Sequence, residues 1–240
     1  MIISSKERFA LVQENDNDIR IFMPKFGTIN ERRHQLHEVI RLSGMNLIID
    51  DFDHQLIIKV ASVQQSRMQV YFIDNEEYFP KRHYLNDPEG NFMQNNDERM
   101  MFFCKGVIET VKKLGWAPDI IHCNGWFSAL VPMYIKKLYN KDPMFSNTKI
   151  YYTVFDNPFK GDLNNSLSEK LLFEDLQDKD VEMIGNPTFD NLNKFAISYS
   201  DAVVQGSKKL SKNLLNFIKN NNIPVLEKTD DDNFEEQCLS

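Results

Sequence analysis

Ala117-Pro-Asp-Ile-Ile-His-Cys-Asn-Gly-Trp-Phe-Ser-Ala-Leu-Val-Pro-Met-Tyr-Ile-Lys136 is the stretch on which the fold turns. Asp119-Ile-Ile-His-Cys123 is short and apolar, and Pro118 cuts it off from what precedes, so it reads as a buried strand. Asn124-Gly125 is a turn signal, because both residue types tolerate positive φ. Beyond it, Ala129, Leu130, Met133, Tyr134 and Leu138 recur at helical spacing. Pro132 fits the first turn of that helix with Ser128 as N-cap, since first-turn N–H groups have no intrahelical acceptor. A strand entering a helix through a tight polar turn is where α/β proteins place ligands. This predicts a site that groups His122, Asn124 and Trp126.

Upstream, Met100, Phe103, Cys104, Val107, Ile108, Val111 and Leu114 mark one buried face of a helix. Asn95 with Glu98 forms a capping-box pattern, and Gly115 stops the helix. Before it, Asp74 to Asn95 is a long polar loop. Leu47–Ile49, Leu56–Val60 and Met68–Ile73 read as strands, turned at Asp50–Asp53 and Gln64–Ser66, which predicts an antiparallel excursion within 45–73. Ile19–Met23 is a strand stopped by Pro24 and Gly27, residues 28–42 suit loop or helix, and Phe9–Val12 suggest a helix end. Downstream, Thr148–Val154 and Asp201–Gln205 read as strands, with Ser207 capping a final helix through Ile218. Strands near 19, 119, 149 and 201 separated by helical stretches predict an α/β fold, its sheet mostly parallel and flanked by helices. One domain over 1–226 and a frayed acidic tail over 227–240 are expected.

The charge balance of -7 disfavours nucleic acid and anionic membrane surfaces as partners. No apolar run is long enough to span a bilayer, and the first residues lack a signal-peptide core. Cys104, Cys123 and Cys238 are too few and too scattered for a disulfide framework, so a cytoplasmic, reducing location is expected.

No G-x-G-x-x-G and no G-x-x-x-x-G-K-S/T occurs, which removes the common phosphate-binding loops. Asp51-Phe-Asp53 has the D-x-D form of a divalent-cation site, but so short a pattern is common and a strand-joining turn, where Asp is favoured, is the preferred reading. His34, His37 and Glu38 invite a metal, yet His54, His83 and His122 supply no matching spacing, so neither metal nor cofactor is expected. Cys123 beside His122 falls on the opposite face of a strand, which argues for a buried thiol and against a nucleophile pair. Trp126, Phe127, Tyr134, Phe155 and Phe159 place aromatics near the expected cleft; such rings stack on sugars or fill cores. Arg33 and Arg99 each offer a planar fork near an element end, and a solvated or ion-paired arginine is the plainer alternative.

Pro118-Asp-Ile-Ile-His122 followed by Trp126, Leu130, Pro132, Tyr134 and Ile135-Lys136 resembles the glycogen/starch synthase signature P-D-(I/V)-(I/V)-H-x-H-D-W-x-x-x-L-x-P-x-Y-L-K. Asn95-Asn-Asp-Glu-Arg99 through Glu109 is similar to that family's D-N-x-E-R-F-x-x-F-S-x-A-x-L-E segment. Ile21-Phe-Met-Pro-Lys-Phe26, Tyr71-Phe-Ile-Asp74, Tyr78-Phe79 and Tyr199-Ser-Asp-Ala-Val-Val204 with Ser207 resemble further family segments in the same order. The resemblance implies the N-terminal, Rossmann-like half of a GT-B glycosyltransferase. In that family this half receives α-1,4-glucan, and a second domain holds most of the ADP-glucose. Substrate binding is expected at the carboxyl ends of strands 119–123 and 149–154, on His122, Asn124, Trp126 and Asn157, and the resemblance adds Arg99; no catalytic residue is assigned.

The departures concern the donor. The family's second histidine and its aspartate fall on Asn124 and Gly125, and the histidine of T-V-H-N falls on Phe155. The K-x-G-G loop and first strand have no counterpart, and the donor domain is absent. Three readings follow. The chain is a glucosyltransferase domain completed by a separate donor-domain polypeptide, a non-catalytic glucan-binding or regulatory protein of glycogen metabolism, or a fragment with a miscalled start. No transfer by the chain alone is expected.

Overall fold

The computed structural model describes residues 18–63 and 68–226. The helix end at Phe9–Val12, the Gln64–Ser66 turn and the acidic tail lie outside the described residues.

The first half forms a mixed sheet of β1 (Arg20–Pro24), β2 (His37–Glu38), β3 (Met45–Ile49), β4 (Phe52–Val63) and β5 (Met68–Asp74). Its order is β1-β5-β4-β2, with β3 also on β4. The β3–β4 and β4–β5 pairs are antiparallel, as the alternating runs in 45–73 predict. Asp50 and Asp51, at φ 49 and 65, are the two central residues of the β3–β4 turn. Both positions need left-handed backbone, which Asp tolerates, so turn geometry accounts for this Asp-rich stretch. The remaining edge of β5 takes β1 in parallel, Arg20 opposite Gln69 through Pro24 opposite Ile73. Here the structure corrects an expectation: strand 20–24 joins this sheet and does not join the later parallel strands. Phe22 stacks on its register partner Tyr71 at 5.1 Å, a cross-strand pair that favours this neighbour.

The second sheet is wholly parallel: β6 (Ile120–Asn124), β7 (Lys149–Val154), β8 (Ala202–Gln205) and β9 (Val225–Leu226), in that order. Residues between Pro158 and Asp201, which periodicity leaves unassigned, form short helices. These are α3 (Leu167–Leu172), α4 (Asp178–Val181) and α5 (Phe189–Ser198), after α1 (Asn96–Leu114) and α2 (Val131–Lys137) and before α6 (Lys212–Asn220). The whole is an α/β fold of helices on a parallel sheet joined to a mixed one.

One continuous core unites them, with α1 at its centre. Met100, Met101, Phe102, Cys104, Ile108 and Val111 are all buried, so the helix is covered on more than one face. It packs on β1, β3 and β5 one way and on α2 and the Trp126–Ser128 turn the other. At Gly106 the contact with the mixed sheet is closest: a Cβ there would lie 2.7 Å from Ile73 Cγ2 and 3.2 Å from Leu56 Cδ1. Gly115, left-handed, ends the helix as expected.

Three expected caps are placed differently. Asn95, at φ -93 and ψ 18 and so outside the extended conformation of a capping residue, makes no side-chain cap bond, and Glu98 is engaged by Lys170 and the Tyr78 hydroxyl. Ser128 lies in the 3-10 turn and donates to the Gly125 carbonyl, so α2 starts later, after Leu130, with Pro132 in its first turn. Ser211, not Ser207, caps α6 by accepting from Leu214 N. Ser207 instead accepts from Asp156 N beyond β7. Among the described residues no helix is long and apolar enough to cross a membrane.

Candidate functional site

The carboxyl ends of β6 and β7 open into a cavity of about 130 Å³. Gly125, at φ 72, turns the chain off β6 and donates its N–H to the Thr153 carbonyl, fixing the turn against β7. Asn124 and Asn157 line the cavity together with the aromatic residues Phe26, Tyr84, Trp126 and Phe155. Leu85, Gly125 and Phe127 complete the lining, which contains no charged residue.

Three of the five expected residues therefore meet: Asn124, Trp126 and Asn157. Asn157 is exposed, and the Asn124 amide donates to the His122 carbonyl at 3.1 Å. Trp126 is 5% exposed, held by Phe159 at 4.9 Å, Phe127 at 5.1 Å and Phe92 at 6.3 Å. It contributes an edge to the cavity and is otherwise core. Tyr84, 47% exposed, and Phe155 present more accessible ring surface.

The other two stand outside. His122 is absent from the lining; its Nε2 lies 2.6 Å from Thr153 Oγ1. The residue as a whole is exposed, and local crowding around the ring lowers its pKa from the ordinary histidine value. It is thus neutral at pH 7 and supplies no cation. Arg99 is fully buried, which corrects its placement in the cleft. Its Nε donates to the Tyr78 carbonyl and NH2 to the Tyr84 carbonyl, both at 2.6 Å, and NH1 to Asn96 Oδ1 at 2.5 Å. Burial pushes its pKa down to about 10, still charged at neutral pH. The fork is spent on the protein's own oxygens. Cys123 is buried, its thiol raised well above the ordinary value by desolvation, and no nucleophile arises there.

Phe26, Tyr84 and Leu85 were not anticipated as lining. Phe26 closes the Ile21–Phe26 segment, so that segment held a signal for it. Tyr84 sits in a loop without periodicity, placed from behind by side chains of α1.

Phe155 is wedged over Gly206, where a Cβ would lie 2.6 Å from its ring and from Thr153 Cγ2. Gly206→Ala must shift that ring or the strand, and overpacking of this kind costs about 1–3 kcal/mol. Urea unfolding should report a loss in that range; an unchanged midpoint would show that the cavity floor yields freely.

Among the described residues no group of three or more His, Cys, Asp or Glu is arranged to hold a metal ion. A cavity lined by aromatic residues and two asparagines at the carboxyl ends of parallel strands lies where α/β folds place ligand sites. Residues 10–223 match the family model described as "Starch synthase catalytic domain". The chain belongs to this family of glycosyltransferase domains. It is 39% identical over 166 residues to a glycogen synthase of Chlorobium limicola, covering 69% of this chain and 34% of that protein. With a glycogen synthase of Chlorobaculum tepidum it shares 35% over 205 residues, covering 85% and 41%. The chain thus spans 34% to 41% of these relatives' length. In fold it is similar to the catalytic domain of starch synthase IV from Arabidopsis thaliana, bound to ADP and acarbose. That likeness has a TM-score of 0.70 at 19% identity, over 91% of this chain and 46% of the other.

Proposed function

We propose that this chain is the acceptor side of a glycogen-synthase-type glucosyltransferase. It holds a neutral α-1,4-glucan at the cavity beyond β6 and β7, and it transfers glucose only when a donor site is supplied from outside these residues. The observation that carries this is the lining: aromatic rings and two carboxamides, with no charged side chain. Aromatic faces cover the apolar faces of a sugar ring and amides exchange hydrogen bonds with hydroxyls, whereas a diphosphate needs cations or a helix N-terminus. The cavity is smaller than a pocket that encloses a whole drug-sized ligand. It suits one ring of an oligosaccharide whose other units lie along the surface. The Arabidopsis thaliana structure, whose ligands include acarbose, supports a glucan-like ligand for the shared fold.

The same lining also fits a glucan-binding protein that has no catalytic partner at all. Addition of extract to a transfer assay separates the two readings, since only the first predicts a gain.

The direct test is a titration with maltoheptaose, using a Trp116→Phe variant so that Trp126 is the sole reporter of fluorescence. Saturable change at millimolar sugar is expected. Asn124→Ala and Asn157→Ala should each weaken it by about fivefold, the worth of one net hydrogen bond. No response at any accessible concentration, or a response untouched by both substitutions, would remove glucan from this cavity.

A further inference from the structure

Asn96 and Arg99 lie one turn apart on α1, and both are fully buried. Side chains three apart share a helix face, and here they are joined by the Arg99 NH1 to Asn96 Oδ1 bond. Together they seize two consecutive carbonyls: Arg99 NH2 donates to Tyr84 O at 2.6 Å, and Asn96 Nδ2 donates to Leu85 O at 2.9 Å. Tyr84 and Leu85 are the loop side of the cavity wall. The Arg99 guanidinium also faces the Phe26 ring at 5.6 Å, and Phe26 packs edge-on to Tyr84 at 4.5 Å. Arg99 Nε holds the other end of the loop at Tyr78 O. One buried pair therefore backs three lining residues without entering the cavity.

We infer that Asn96 and Arg99 are positioning residues that set ligand affinity by fixing the Tyr84–Leu85 wall from behind. This rests on the glucan reading of the cavity. Elsewhere the loop is tied by the Asn86–Phe92 and Gly27–Lys81 bridges, by Met93 N to Leu85 O and by Phe92 packing on Trp126 and Phe159, so the bonds from α1 are its hold at the Tyr84 carbonyl and a second hold at Leu85. Tyr84 is half-exposed, so its ring stays where its backbone is pinned. Arg is required for this because its planar fork reaches two carbonyls and an amide oxygen at once; the single ammonium of lysine does not.

Asn96→Asp is the informative variant. It keeps the shape and the acceptor for Arg99 but replaces the donor to Leu85 O with an anion. Two measurements follow, one with sugar and one without. Maltoheptaose affinity should fall about fivefold to tenfold in Asn96→Asp, as for a lost buried hydrogen bond. In a Tyr84→Ala background the same substitution should change affinity by less than about twofold, because the ring it positions is gone. Amide hydrogen exchange without sugar should accelerate across residues 84–93 in Asn96→Asp while α1 itself stays protected. Arg99→Lys should reproduce both effects.

Equal weakening in the two backgrounds would mean a general loss of structure and would overturn the inference. So would unchanged affinity in Asn96→Asp, or unchanged exchange across 84–93. If the native chain binds no maltoheptaose while exchange across 84–93 still rises, the clamp exists but the glucan reading fails, and with it the claim about affinity.

Discussion

Purified and supplied with ADP-glucose and glycogen, the chain is expected to incorporate no glucose above background. Expulsion of a nucleoside diphosphate needs positive charge on its departing oxygens and hydrogen bonds that orient the sugar. The cavity offers no such charge: its lining is uncharged, the one buried guanidinium behind it is committed to backbone carbonyls, and His122 is held neutral. Each preorganised donor of the oxyanion type contributes about 3 kcal/mol, so the lack of several lowers the rate by many orders of magnitude. Radiolabel transfer that rises in proportion to the concentration of the chain alone would defeat this expectation. Transfer that appears only with added extract would point to a separate donor-domain polypeptide.

Lys170→Met should be the most damaging single substitution away from the cavity. Lys170, 5% exposed, meets fully buried Asp97 at 2.9 Å, and also Glu98. Burial opposes the charge on Lys170, but its bonds to Glu98 and Asp97 outweigh that and hold its pKa above the ordinary lysine value. Asp97 fares differently. Burial holds it above the ordinary carboxyl range against the pull of Lys170, and its Oδ1 has no partner among the described residues. The two ends of the pair thus disagree, and the deeper, half-satisfied carboxylate is the liability. Removing the cation strands it at a cost of about 3–5 kcal/mol at pH 7.

The sign of the pH dependence follows from linkage. A carboxyl whose folded pKa is raised takes up protons on folding, so stability falls as pH rises from the unfolded value through the folded one. In the variant that decline deepens, because Asp97 has lost its cation. The native chain keeps its Lys170 contribution until the alkaline range, where a raised lysine pKa is finally crossed. Urea unfolding at pH 5 and pH 8 should therefore show a variant that is distinctly weaker at pH 8. Equal stability at both, or a loss below about 1 kcal/mol at pH 7, would mean that Asp97 finds another partner.

The strands at 120–124 and 149–154 and the hairpin within 45–73 were legible because each is an apolar run fenced by Pro, Gly or Asp. The neighbour of β1 was not, since alternation marks a strand but says nothing of which edge it will meet. Pairing with β5 depends on contacts such as Phe22 on Tyr71, nearly fifty residues apart in the chain. Leu167–Leu172 and Asp178–Val181 are too short to show a period, whereas Phe189, Leu192, Phe195 and Ala196 do recur at helical spacing behind the Thr188 cap. For the candidate site, Asn124, Trp126 and Asn157 could be found because they follow strand ends directly. Arg99 could be singled out by its motif, but spacing cannot tell whether a fork points into a cleft or into the wall behind it. Tyr84 gave no local signal, because its position is dictated by two side chains of another element.

The close contact at Gly106 has a consequence for the cavity. With Ile73 and Leu56 where a Cβ would be, α1 can neither slide nor rotate on the mixed sheet without losing that fit. Arg99 lies seven residues earlier on the same rod, about 10.5 Å along its axis. A slip of one residue at the glycine would carry the guanidinium about 1.5 Å and swing it by roughly 100°. The glycine therefore acts as an indexing notch: it sets the phase of the helix, and the tip two turns away inherits that setting.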